Sequence, residues 1–140
     1  MIEIERHIVK ANGIKQHYRV CGNGPPLVLL HGWPQTSYAW RKVMPLLARH
    51  YKCFAPDLRG MGDTDKPVSG YDIRTIATDI RAFVAELGLE NVYLVGTDWG
   101  GLAARRYALD WPGELERLFI VDIVPHDQMM ANLNPLTARG

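Results

Sequence analysis

The stretch VYLVGTDWGG, residues 92–101, decides how this chain folds. It opens with an apolar run, passes through Gly96-Thr97-Asp98-Trp99-Gly100, and leads into LAARRYAL at 102–109. A buried strand that turns directly into a helix is the expectation. The Gly-x-Asp-x-Gly spacing is that of a nucleophile elbow with aspartate in the place of serine. Gly96 and Gly100 would let the chain turn where a β-carbon would clash, leaving Asp98 above the sheet at a helix N-terminus. A carboxylate there suits attack on a saturated carbon carrying a leaving group, because the resulting ester can be hydrolysed by activated water. The bland alternative is an aspartate that caps the following helix.

Outward from this junction, the pattern alternates strands and helices. Residues 2–9 alternate apolar and polar side chains, and Asn12-Gly13 signals a tight turn before residues 14–21, so the N-terminus reads as an antiparallel hairpin with a half-exposed edge. LVLLH at 27–31 is continuously apolar, as in a central strand covered on both faces. Residues 37–50 read as a helix with a bend or boundary at Pro45, and YKCFAPD at 51–57 as a strand ending at Asp57. The polar segment 58–72 is a long loop. From residue 73 a stripe of Ile76, Ala77, Ile80, Phe83, Val84 and Leu87 predicts a helix closed by Gly88, followed by a strand at 91–95, a helix at 100–110 and a strand at 118–121. The predicted class is therefore α/β: a hairpin, then a mostly parallel sheet with helices on both faces. Residues 1–124 form this core, and residues 125–140 read as the start of a cap or linker.

Composition narrows the function classes. Sixteen Lys and Arg against fifteen Asp and Glu give a net charge of +1, and no basic stripe suggests nucleic acid or an anionic membrane. No apolar run approaches the ~20 residues of a membrane span. Cys21 and Cys53 show no secreted-scaffold spacing, and the N-terminus carries no leader pattern, so the expected location is cytoplasmic. His17, Cys21, His50 and Cys53 lack zinc-site spacing, Asp57, Asp63 and Asp65 lack that of a calcium loop, and no phosphate-cradling loop is present. Neither metal nor cofactor is expected; the expected partner is a small apolar or weakly polar substrate.

His31-Gly32-Trp33-Pro34 directly follows the central strand, where a loop can aim a backbone N–H at Asp98. The N–H groups of Trp33 and Trp99 would share the developing oxyanion, and their indoles would donate to a leaving group or line the pocket. His31 reads as a structural hydrogen-bonding residue, and Asp57 as the holder of its own loop, with Arg59 as its expected partner.

HGWP (31–34), APDLRGMGDTDKP (55–67), VGTDWGG (95–101) and ALDWP (108–112) together resemble the N-terminal half of the α/β-hydrolase fold, in its Asp-nucleophile branch of epoxide hydrolases and haloalkane or haloacid dehalogenases. The resemblance covers nearly the whole chain. It implies Asp98 as nucleophile, Trp33 and Trp99 as oxyanion-hole positions, and His31, Gly32, Pro34, Gly96 and Gly100 as supporting positions. HGWP with DWG is most similar to the epoxide hydrolases, since haloalkane dehalogenases often carry Asn where this chain has Trp33, and fluoroacetate dehalogenases usually show Arg at the position of Trp99. Thr97 stands where family members commonly have His.

The same resemblance implies a cap, further strands, an acidic residue and a late catalytic histidine in a second half, all expected to be absent from these 140 residues. Of His7, His17, His31, His50 and His126, only His126 follows the sixth strand on the side of the loops, so it is the one candidate replacement base. Asp122 lies beside the expected cleft, and Met129 and Met130 fall where a cap would begin. Residues 118–121 would present an apolar strand edge, and a homo-oligomer or a complementing C-terminal chain is expected to cover it.

Overall fold

The computed structural model describes residues 2–123. Strand β1 (Glu5–Ala11) and strand β2 (Ile14–Cys21) form the hairpin, closed by Asn12 and Gly13 at φ 53° and 76°, the positive values a two-residue turn of this kind demands. Strand β3 (Pro26–Leu30) is followed by a 3-10 turn (Ser37–Trp40) and a short helix α1 (Met44–Leu47). Strand β4 (Lys52–Pro56), helix α2 (Ile73–Glu86), strand β5 (Val92–Thr97), helix α3 (Trp99–Asp110) and strand β6 (Leu115–Val121) complete the core. The long helix expected over 37–50 is thus two short pieces, Pro45 sitting in the first turn of the second rather than bending one helix.

One six-stranded sheet runs β1-β2-β4-β3-β5-β6, antiparallel through β1, β2 and β4 and parallel from β4 onward. The alternation of β3 divides the core. Val28 and Leu30 face α2 and α3 in a cluster with Phe54, Ile80, Phe83, Leu94 and Tyr107. Leu27 and Leu29 face the opposite side, where α1 contributes Met44 and where Cys21, Cys53 and Ala55 pack. Residues 27–30, four of the five in β3, are at most 5% exposed, which explains why the strand reads as a continuous apolar run.

Helix α2 begins at Asp72, whose carboxylate accepts the Thr75 N–H at 3.0 Å, and it ends at Gly88 in a left-handed conformation. Its buried stripe includes Ile76, Ala77, Ile80, Phe83 and Val84 as expected, and also Asp79. Strand β6 pairs only with β5 among the described residues and leaves Phe119 64% exposed. Beside it, Tyr93, Val95, Phe119 and Val121 with Trp40 and Leu47 border an apolar groove of about 370 Å³. Among the described residues, no helix is long and apolar enough to cross a membrane.

Because β4 and β5 lie on opposite sides of β3, the strand order reverses between β3 and β5. Loops leaving the carboxyl ends of these two strands diverge there and open a crevice. The 31–36 segment and the β5–α3 junction are the two loops concerned.

Candidate active site

Asp98 sits at φ 52° and ψ −123°, a sparsely populated conformation for a non-glycine residue. The tight turn it makes brings the N-terminus of α3 against the end of β5. A β-carbon on Gly96 would meet the Gly100 carbonyl, and one on Gly100 would run into the backbone of Leu30 and His31. The small residues at 96 and 100 therefore set how close helix, elbow and central strand approach.

The Asp98 carboxylate is half-buried, and Oδ2 accepts the backbone N–H of Trp33 at 2.9 Å. It makes no side-chain capping bond to α3. The capping alternative is thereby excluded, and the acid is instead turned across the crevice to the loop after β3. Gly32 makes this possible, since a β-carbon there would lie 2.6 Å from Cβ of Asp98. Trp99 occupies the first turn of α3, where backbone N–H groups lack intrahelical acceptors and the helix dipole is positive. The Trp33–Pro34 peptide bond is cis.

His31 is fully buried and anchors the loop. Its Nε2 accepts the Leu58 N–H at 2.9 Å, which puts the proton on Nδ1, and Nδ1–H donates to the Gly32 carbonyl at 2.8 Å. Burial pushes its pKa below the usual histidine range, against opposing effects of the Gly32 carbonyl and Asp57. Both nitrogens are engaged, so the ring holds the loop and is no base for Asp98.

Asp57 organises the neighbouring loop. Its carboxylate accepts the Ser37 N–H at 2.7 Å and the Asp63 N–H at 3.0 Å, and Oδ2 pairs with Nδ1 of the buried His17 at 2.7 Å. Burial alone would raise its pKa, but these hydrogen bonds outweigh it and hold the carboxyl below its usual range. The expected Asp57–Arg59 pairing is not formed. Arg59 instead grips Asp79 of α2 through Nε and Nη2, both at 2.7 Å, because Asp57 is already saturated by other donors. Asp79 was hidden in the sequence, although an acid on an otherwise apolar helix stripe signals a buried cation nearby.

His17, Asp57 and Asp63 are one group whose ligand-type atoms converge within 4.8 Å. Arg6 already bonds His17 Nε2 at 3.1 Å and Asp63 Oδ2 at 2.6 Å, so this cluster is internally paired. Cys21 and Cys53 are register partners on β2 and β4. Burial, with help from Cys21, pushes the Cys53 thiol up to about 12 and keeps it protonated. His7 is an exposed hairpin residue paired with Glu5, and His50 is exposed after α1. Asp122 is exposed at φ 55° after β6. His126, Met129 and Met130 lie outside the described residues.

A strained acid at a strand-to-helix elbow, placed at the strand-order reversal of a mostly parallel sheet and facing a backbone donor from the adjacent loop, defines an α/β protein built around a nucleophile elbow. Residues 25–139 match the model of the alpha/beta hydrolase fold family, and the chain belongs to that family. It is 51% identical over 123 residues to a soluble epoxide hydrolase of Corynebacterium sp. (strain C12), covering 88% of this chain and 43% of that protein. It is 39% identical over 141 residues to a fluoroacetate dehalogenase of Burkholderia sp., covering 97% of this chain and 46% of that protein. Among solved structures, the ligand-free epoxide hydrolase CorEH superposes with a TM-score of 0.86 at 51% identity, over 88% of this chain and 44% of that one. The chain thus spans less than half the length of these relatives.

Proposed function

We propose that this chain carries the nucleophile half of an epoxide hydrolase. The observation that carries the reading is the strained Asp98 with its Oδ2 held at 2.9 Å by the Trp33 N–H. Oδ1 attacks an epoxide carbon, the ring C–O bond breaks, and the ring oxygen takes a proton as an alkyl ester forms on Asp98. Oδ2 stays the ester carbonyl oxygen under the Trp33 N–H. Water then adds to the carbonyl carbon, and the negative charge on Oδ2 falls to the N–H groups of Trp33 and Trp99, each such donor being worth about 2.7–4 kcal/mol in comparable sites. Collapse expels the diol and restores the carboxylate.

The proton donor for ring opening and the base for water come from outside the described residues, His126 and a complementing C-terminal chain or second copy being the candidates. The β6 edge, which pairs only with β5 among the described residues, and the neighbouring apolar groove support such a partner. The substrate is a small apolar or weakly polar molecule, and the compartment is the cytoplasm. Dehalogenation through the same ester is the second reading, favoured by the fluoroacetate dehalogenase relative.

Incubation with an epoxide followed by peptide mass spectrometry tests the reading. An adduct on Asp98, lost in Asp98→Asn, is the expected result even where turnover is slow. An Asp98 left unmodified by epoxides overturns it, and halide release from a haloalkane would select dehalogenation instead.

A further inference from the structure

Three side chains with metal-ligand chemistry come together at the loop after β4. His17 of β2 and Asp57 and Asp63 of the loop offer atoms that all lie within 4.8 Å of one another. Hydrogen bonds fix the histidine tautomer. Asp57, held ionised by the donors around it, can only accept, so the 2.7 Å contact puts the His17 proton on Nδ1 and leaves Nε2 as the acceptor of Arg6 Nε–H at 3.1 Å. An imidazole whose Nδ1–H is held by a carboxylate and whose Nε2 faces a cation has the arrangement of a metal-binding histidine with its outer-shell acid. Arg6 Nη2 meanwhile reaches Asp63 Oδ2 at 2.6 Å, so one guanidinium spans the imidazole and the second carboxylate.

Burial sets which of these groups moves. The side chains of His17 and Asp57 are 5% and 2% exposed, whereas those of Arg6 and Asp63 are 56% and 60% exposed. Arg6 stands on the edge strand β1, and an ion pair this exposed holds it weakly. Charge favours its exchange. Two carboxylates against one guanidinium leave one negative charge unbalanced, and a divalent ion in that place balances both.

We propose that this cluster is a zinc site, with His17 Nε2 and Asp63 Oδ2 as ligands, Asp57 as the acid that orients the imidazole, and Arg6 as the internal cation that the metal displaces. An imidazole nitrogen beside a carboxylate oxygen suits zinc better than magnesium or calcium, which take oxygen ligands. The ion joins β2 to the loop after β4 and releases β1 from that loop. Asp57 also accepts the Ser37 N–H at 2.7 Å, so the same carboxylate links the site to the connector after β3. Nothing in this site depends on the chemistry proposed at Asp98.

Zinc chloride titrated into the protein by isothermal calorimetry tests the site, with thermal melting as the check that each variant folds. Arg6→Ala removes the competing cation and should bind zinc about tenfold more tightly than wild type, the effect of one charge-assisted contact that no longer has to be displaced. In the Arg6→Ala background, Asp63→Asn, at an exposed position, and His17→Gln should each weaken binding at least about tenfold, and Asp57→Asn, which keeps both ligands, about 10–100-fold. By linkage, zinc should raise the melting temperature of Arg6→Ala and leave that of Arg6→Ala/Asp63→Asn unchanged. Absence of binding to Arg6→Ala, or an affinity no higher than that of wild type, overturns the proposal. Equal affinity in folded Arg6→Ala and Arg6→Ala/Asp63→Asn also overturns it and puts the ion elsewhere, on exposed histidines such as His7 or His50.

Discussion

Replacing Gly100 by alanine sets two effects of known size against each other. In an ordinary helix interior, Gly→Ala stabilises by about 1 kcal/mol. At position 100 the new β-carbon would lie 2.5 Å from the His31 carbonyl oxygen and 2.6 Å from the Leu30 carbonyl carbon. Ordinary carbon contacts start near 3.5 Å, so α3 must withdraw from β3 by about 1 Å. The opposing atoms are backbone of a fully buried strand and cannot rotate away. Overpacking of this kind costs about 1–3 kcal/mol, and the same withdrawal stretches the 2.9 Å bond from Trp33 to Asp98, a charge-assisted contact of about 1.5–3 kcal/mol. Subtracting the helix gain leaves a net destabilisation of about 1.5–5 kcal/mol. Gly113→Ala is the control, since a β-carbon there meets nothing within 4 Å, and it should change stability by less than about 1 kcal/mol. Urea unfolding followed by tryptophan fluorescence measures both, with equal m-values required for the comparison. If Gly100→Ala is as stable as Gly113→Ala, the argument that Gly100 sets the helix-to-strand approach is wrong.

Removing the Asp79 carboxylate as Asp79→Ala leaves the buried Arg59 guanidinium unpaired and should cost about 3–5 kcal/mol in urea unfolding; a loss below 1 kcal/mol would show that water or another acid takes over. Lowering the pH should destabilise the protein in two stages. His31 has a folded pKa below its unfolded value near 6.5, so its contribution is complete above that pH and is lost as pH falls toward the folded value. Asp57, also depressed, contributes fully above about 3.9 and loses its part as pH drops through its folded value. The urea midpoint should therefore decline between pH 7 and 5, with His31→Gln flattening that decline; a wild-type midpoint that stays level there contradicts the assignment. Finally, Phe119→Arg places a charge beside the β6 edge, at a position 64% exposed, and should shift any self-associated species toward monomer in size-exclusion chromatography, whereas an unchanged elution profile would place the interface elsewhere.

Patterns with a short range in sequence were the legible ones. The period of α2, the continuous apolar run of β3 and the Gly-x-Asp-x-Gly junction each depend on neighbours a few residues apart, so strand, helix and elbow could be placed before any contact was known. The candidate acid and its loop were legible for the same reason, because 31–34 and 96–100 are contiguous motifs. Three things needed the assembled chain. The 3-10 turn and short α1 replaced a single helix because residues 37–50 pack as a connector over β3 and β4, where tertiary contacts outweigh helical spacing. The exchange of partners, Arg59 to Asp79 and Asp57 to His17, joins groups 20 and 40 residues apart, and no local pattern encodes which buried charge meets which. The orientation of Asp98 belongs here too: an aspartate before a helix serves as cap or nucleophile with the same residues, and only the approach of the β3 loop, permitted by Gly32 and Gly100, turns its carboxylate to the Trp33 N–H. Residue types and spacing determine which groups are available, while the packing of strands on helices determines which of them meet, because burial strongly favours pairing of charged and polar groups such as Asp57, Arg59 and Asp79.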